Sequence, residues 1–241
     1  MKAPLKVPFE SALAVDAAFF SDLTDNTSFY IMRHGESLAN AGRRMQGRQD
    51  FRLNESGRDQ ASVAGQWFKD KKVARVLCSP LARASETAAI VASVAGFPEP
   101  EIEPTLIELD IGKFSGLTLE EAKDRFPEEH QRFTYLSWEG VSDAETVDQL
   151  VERATAAWVR LKAAAVESGG NVLALTHGGT IQWLVRLTFG CRSWMPLLTT
   201  GNCGIFELVV KPTLPGKPAY LHWKEINLIP GDPSLLIPPV F

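Results

Sequence analysis

Reactive side chains in this chain gather at two stretches of similar pattern. The apolar run Phe29-Tyr30-Ile31-Met32 stops at Arg33-His34-Gly35-Glu36-Ser37, and Val172-Leu173-Ala174-Leu175-Thr176 stops at His177-Gly178-Gly179. The chain has only 4 histidines, and two of them occupy these matching positions. A guanidinium is a rigid fork of donors that suits phosphate, while an imidazole is largely neutral near pH 7 and nucleophilic. Gly35 is expected to remove a side chain where a ligand must come close. Taken alone, Arg33-His34 also fits an ordinary charged strand end with a surface histidine. The recurrence points instead to one site built from both edges of a crevice.

Two further residues stand out. Arg83 falls on the first turn of a helix that is expected to start near Leu81, with Pro80 inside its beginning. An arginine there opposes the helix macrodipole, which favours anions at that end. The placement makes sense if a phosphate meets both Arg83 and the free N–H groups of the helix. Glu108 lies between the apolar residues Ile107 and Leu109. Locally it reads as a surface residue on an alternating strand or as a proton carrier, with Asp110 as the neighbouring alternative.

The elements that must hold these residues follow from apolar periodicity. Buried strands are expected at 29–32, 73–78 and 172–176, because ligands in open α/β folds sit beyond the carboxyl ends of such strands. Gln60, Val63, Ala64, Trp67 and Phe68 recur at helical spacing behind Asn54-Glu55-Ser56 as a cap. Residues 101–109 read as an extended segment. Thr118-Leu119-Glu120-Glu121 forms a capping-box pattern for a helix ending at Phe126, with Pro127 closing it. The longest helix is expected over 146–167, with Leu150, Val151, Ala154, Trp158 and Leu161 inward and Gly169-Gly170 ending it. A further helix is expected over 180–189, then two strands over 204–210 and 219–226 forming an antiparallel edge. The apolar residues of the first 27 positions predict a short helix over about 11–23 that packs on the domain. The last 12 residues contain 4 prolines and cannot be regular helix.

At 241 residues, 45% of them hydrophobic and 22% charged, the chain suffices for one sizeable α/β domain. A formal charge of −4 argues against a general nucleic-acid or membrane-surface binder. The 3 cysteines, Cys78, Cys191 and Cys203, lack the paired spacing of a metal or redox motif and read as reduced thiols. No run approaches the roughly 18 to 20 apolar residues of a membrane span, and Pro4, Pro8, Glu10 and Asp16 interrupt any signal core, so a cytoplasmic location is expected.

Arg33-His34-Gly35-Glu36-Ser37 resembles the signature of the histidine phosphatase superfamily, which includes phosphoglycerate mutases and many small-metabolite phosphatases. The same order of motifs continues with 53–61, 79–88, Leu106-Ile107-Glu108 and His177-Gly178-Gly179, so the resemblance spans about 28 to 210. It implies an α/β fold: a three-layer αβα sandwich with a mostly parallel central sheet, an antiparallel edge and a helical insertion over 128–145 that roofs the site. The implied organisation is an N-terminal extension (1–27) packed on a histidine phosphatase domain (28–229), followed by a Pro-rich tail (230–241).

The resemblance further implies that His34 is a phosphate-accepting nucleophile. Arg33, Arg83 and His177 would bind phosphate oxygens, and Glu108 would be the proton donor. Asn40, Gln46, Gly47 and Gly178 would line the substrate pocket. Asn202 falls where the family places residues near the site, although a turn role is the preferred reading. The expected activity is hydrolysis of a small phosphorylated metabolite through a phosphohistidine, with no cofactor and no metal. His177 follows Glu108 by 69 positions, which resembles the compact phosphatases more than the mutases. Phosphoglycerate mutation, or a binding protein that has lost the reaction, are the alternatives. No nucleic-acid or membrane partner is expected, and the oligomeric state is open, a homodimer included. Where many members read Gly-x-Trp-Glu-Gly, this chain has Gly112-Lys113-Phe114-Ser115-Gly116, and Arg52 replaces a common proline. If Lys113 and Arg52 face the mouth, substrates with a second anionic group are favoured.

Overall fold

The computed structural model describes residues 15–191, 197–214 and 216–231. The Pro-rich tail beyond 231 and the first part of the expected N-terminal helix lie outside the described residues. The described chain forms β1 (Thr27–Arg33), α1 (Leu38–Ala41), α2 (Glu55–Phe68), β2 (Val73–Cys78), α3 (Ala82–Ala95) and β3 (Glu101–Ile102). It continues with α4 (Leu119–Arg125), α5 (Pro127–Leu136), α6 (Val147–Ser168), β4 (Asn171–Thr176), α7 (Gly178–Thr188), β5 (Ile205–Lys211) and β6 (Tyr220–Leu228).

The six strands form one sheet in the order β3-β2-β4-β1-β5-β6. The first four are parallel, whereas β5 runs antiparallel to β1 and β6 antiparallel to β5. Alternation assigns the two faces. Phe29, Ile31, Val172 and Ala174 join Trp158, Leu161 and Leu184 of α6 and α7 on one face. Tyr30, Met32, Leu173 and Leu175 join Ala61, Phe68, Ala88 and Val91 of α2 and α3 on the other. Strands covered on both sides must be apolar throughout, which is why these segments read as continuous hydrophobic runs. The result is the expected three-layer sandwich with an antiparallel edge.

Local chemistry sets the helix ends. Asn54 Oδ1 accepts from the Gly57 N–H at 2.8 Å, capping α2, an interaction that typically stabilises by about 1 kcal/mol. The buried face of α2 is Gly57, Ala61, Ala64, Gly65 and Phe68, whereas Val63 is exposed. This corrects the expected stripe, and the cause is close packing on α3: a Cβ on Gly65 would lie 2.7 Å from Val94 Cβ. Thr118 and Glu121 make the capping box of α4. Pro127 does more than end that helix, since it is the first residue of α5. Thr146 pairs with Gln149 at the start of α6, and left-handed Gly169 (φ 63°) ends it.

Three further expectations differ from the structure. Residues 15–22 are consecutive turns rather than a helix, because Asp16 Oδ1 takes the Ala18 and Phe19 N–H groups, each at 2.9 Å. Phe20 nevertheless packs edge-on to Trp158, with ring centroids 5.7 Å apart. The segment 101–109 is not continuously extended: Glu103 caps a 3₁₀ turn at Pro104–Leu106, and Ile102 is exposed. Pro80 lies outside α3, whose N-cap is Leu81. Among the described residues no helix is long and apolar enough to cross a membrane.

Candidate active site

Sheet register brings the reactive residues together. Arg33 is paired with Thr176 across β1 and β4, and the His34 N–H donates to Thr176 O at 3.0 Å, so His34 and His177 leave adjacent strand ends side by side. Their ring centroids are 5.1 Å apart. On the other side of β4, Cys78 is paired with Leu175, which delivers Ser79 next to His177. Ser79 Oγ and His177 Nε2 are 2.7 Å apart.

His34 is buried, and its Nδ1 lies 2.6 Å from Gly35 O. A carbonyl only accepts, so this contact assigns the ring proton to Nδ1 and leaves the lone pair on Nε2. Burial, followed by the charges of Arg83 and Arg33, holds the imidazole pKa well below its ordinary 6.5, so the ring is neutral at pH 7. His177 is lowered likewise, by burial first and then by Arg83, His34, Arg33 and Arg153. Ser79 Oγ also accepts from the Leu81 N–H at 3.3 Å, so its proton is free for His177 Nε2. The His177 tautomer that uses this arrangement carries its proton on Nδ1.

The guanidinium groups are held by backbone carbonyls. Arg83 donates from Nη1 to Gln49 O at 2.8 Å and from Nη2 to Gly47 O at 2.9 Å. Arg33 Nη1 donates to Thr200 O. Burial lowers the Arg83 pKa to about 10, against the opposing charges of Glu108 and Asp50, which leaves it cationic near neutrality. Among the described residues, Arg33 Nε, Arg83 Nε and His177 Nδ1 are buried without a hydrogen-bond partner. Buried donors are nearly always paired, so three of them around two neighbouring imidazoles mark a place prepared for an anion.

Glu108 meets the start of α7, which begins at Gly178, earlier than expected. Glu108 Oε1 accepts from Leu109 N at 2.7 Å and Thr180 N at 3.1 Å, and Oε2 accepts from Gly179 N at 3.3 Å. A carboxylate is electrostatically at home at a helix N-terminus. A Cβ on Gly179 would sit 2.7 Å from Glu108 Oε1, and one on Gly178 would sit 3.7 Å from Arg33 Nε. The chain before Glu108 is fixed from behind: Arg153 Nη1 donates to Ile107 O at 2.7 Å and to Thr105 O at 3.1 Å. Glu145 receives Arg153 at 2.8 Å and Arg48 at 3.0 Å. Burial opposes the charged form of Glu145, yet hydrogen bonds and charge from Arg153, aided by Arg48, hold its pKa below the usual range.

His34, Arg33, Asn40, Gln46, Gly47, Glu108 and Gly178 all line one cavity, while Arg83 and His177 are fully buried beside it. Asn40 Oδ1 accepts from Ser37 N at 3.1 Å, and Gln46 Oε1 accepts from Ser37 Oγ at 2.9 Å. Several expectations change. Gly35 is needed for protein packing, since a Cβ there would lie 2.4 Å from Gly57 O. The α3 N-terminus already has its anion, because the Ala82 N–H donates to Asp50 Oδ1 at 2.7 Å. Asp110 does not line the cavity and instead accepts from Gly112 N at 2.9 Å. Lys113 and Arg52 do not line it either: Lys113 Nζ meets Glu129 at 3.3 Å, and Arg52 is exposed.

Other participants receive no role from the sequence, yet Ser79 and Thr87 fall within the 79–88 motif and Asn202 is expected near the site with a turn role preferred. Ser79 reads as a turn residue and Thr87 as core, although Thr87 Oγ1 accepts from Gly35 N at 3.1 Å. Asn202 is buried with no partner for Oδ1 or Nδ2 among the described residues. Its turn is pinned to the site by Cys203 N donating to His34 O at 3.3 Å and by Arg33 N donating to Gly204 O at 3.1 Å.

Known proteins share this arrangement of sequence and fold. A phosphoglycerate mutase-like protein of Arabidopsis thaliana is 34% identical over 197 residues, covering 80% of this chain and 84% of the relative. A metal-independent phosphoserine phosphatase from the same plant is 33% identical over 166 residues, covering 67% of this chain and 69% of the relative. A solved mycobacterial hydrolase superposes with a TM-score of 0.73 at 23% identity, over 87% of this chain and 94% of that one, a likeness of fold. Residues 29–223 match the histidine phosphatase superfamily, branch 1, and the chain belongs to that family.

Proposed function

We propose that the protein is a metal-independent phosphomonoesterase that works through a phosphohistidine on His34. The observation that carries this reading is the His34 tautomer: Nδ1 is committed to Gly35 O, which leaves the Nε2 lone pair on a ring that feels the charges of Arg83 and Arg33 and neighbours His177. Nε2 attacks phosphorus in line, the ester P–O bond breaks, and the departing alkoxide takes a proton from Glu108. The Nδ1–H bond to Gly35 O stabilises the positive ring that forms. Water then attacks phosphorus and gives a proton to Glu108 while the P–N bond breaks, which returns the lone pair to Nε2, releases inorganic phosphate and restores the starting state. Arg33, Arg83 and His177 meet the equatorial oxygens, where fixed donors each contribute about a hundredfold or more in rate.

Relatives named as phosphatases support hydrolysis, and relatives named as mutases keep phosphoryl transfer to a second hydroxyl in view. The test is the fate of phosphate: the purified protein is incubated without added metal with a panel of phosphomonoesters that includes 3-phosphoglycerate. Free phosphate, absent with His34→Ala, is the expected result. Isomerised phosphoglycerate with little free phosphate would replace this reading with the mutase.

A further inference from the structure

Beyond the phosphate cradle the cavity changes character. Met45, Ile111, Trp138, Trp183, Leu197 and Leu198 supply its walls. Trp138, from the turn after α5, meets Trp183 of α7 edge to face, with ring centroids 6.1 Å apart and planes at 90°. Trp138 Nε1 donates to Glu145 O at 3.0 Å, so its polar edge is spent on the protein.

Two polar side chains of the outer cavity, Gln182 and Arg44, are similarly committed. Gln182 Nε2 donates to Leu198 O at 2.6 Å and Gln182 Oε1 accepts from Leu198 N at 3.0 Å, which clamps Leu198 in the wall and uses both ends of the amide. Among the described residues, three arginines line the cavity. Arg33 belongs to the cradle. Arg44 is held by Glu121 through contacts of 2.6 and 3.0 Å and by Gly116 O at 2.8 Å. Arg186 lies over the Trp183 ring, 4.9 Å from its centroid. Among the described residues, Glu108 is the sole carboxylate of the lining and no lysine contributes.

We propose that the leaving group accommodated here is an apolar, ring-bearing alcohol rather than a small hydroxy acid. This rests on the phosphomonoesterase reading of the same cavity. A paired-tryptophan wall gains from burying flat apolar surface, and its edge-to-face geometry favours a further ring. A carboxylate placed against the same wall would lose water without finding an uncommitted cation at Arg44.

The test is a series of primary alkyl phosphates, ethyl, butyl and 2-phenylethyl, compared with phosphoserine and 3-phosphoglycerate. Aryl esters are left out because a phenolate leaves readily whatever the pocket. The wild-type kcat/KM is expected to rise along the alkyl series by roughly fourfold per methylene buried. The two hydroxy-acid phosphates should fall at or below ethyl phosphate. Trp138→Ala should flatten the slope and Trp138→Phe should largely restore it. A flat or falling series, with phosphate still released from the hydroxy-acid esters, would overturn the apolar-alcohol assignment and leave hydrolysis standing. Release from none of the esters by folded protein would overturn the hydrolase reading and this inference together.

Discussion

Ser79 controls His177 more than its place in a Ser-Pro turn reveals. Its hydroxyl is the partner seen for Nε2, and it thereby fixes which nitrogen of His177 faces an anion. Ser79→Ala is expected to lower kcat about tenfold with little change in thermal stability, as measured by steady-state kinetics beside a melting curve. The two imidazoles also set a pH dependence. In the fold both stay neutral at pH values where the unfolded chain protonates them, near 6.5. The unfolded state then binds more protons, so stability falls as pH drops below about 6.5. Urea midpoints at pH 7.5 and 5.5 should show that loss, and the His34→Asn/His177→Asn double variant should show less of it; equal slopes would contradict it. Arg33, His34, Arg83, Glu108 and His177 were legible because their residue types are unusual in their settings, or because they match family motifs. Ser79 and Thr87 lie in the same 79–88 motif as Arg83, but their roles were not legible, since a turn serine and a core threonine do the same things in sites and elsewhere.

The α7 start and the segment before Glu108 act as one positioning device. Gly179→Ala would push a Cβ into Glu108 Oε1, so turnover of alkyl esters, which need a proton on the leaving oxygen, should fall more than that of aryl esters. Equal losses for both ester types would separate Glu108 from leaving-group protonation. Arg153→Leu leaves the Glu145 carboxylate buried with Arg48 as its remaining arginine partner, and an expected stability loss of about 3 kcal/mol would be read from urea unfolding. Periodicity and capping residues made most helices legible, down to the Thr118 and Thr146 caps. The packing face of α2 was not legible, because Gly65 and Ala61 carry little hydrophobic signal and matter for how closely α3 approaches. The turns over 15–22 escaped for a similar reason: one aspartate oxygen competes with the helix.

Across the whole molecule, strand order does what no single motif can. The chain leaves β1, forms β2 and β3 on the far side, and returns with β4 between β2 and β1, so three carboxyl ends converge on one crevice. The two His-Gly strand ends were legible from recurrence, and their adjacency was expected from it. The apolar wall was legible only in part: the 128–145 insertion that carries Trp138 was expected over the site, but nothing in the sequence joined it to Trp183 and Leu198 from other segments. Lys113 and Arg52 misled for the converse reason, since charge in a sequence does not say which way it faces. The central claim is that phosphate passes through His34, and the most direct measurement traps it there. Glu108→Gln, which cannot deprotonate water, is mixed with an aryl phosphate, whose leaving group needs no acid. The reaction is quenched in alkali and the labelled peptide mapped. Label on His34 is the expected result; label on another residue, or steady turnover by Glu108→Gln with no phosphoenzyme at any time, would contradict the account.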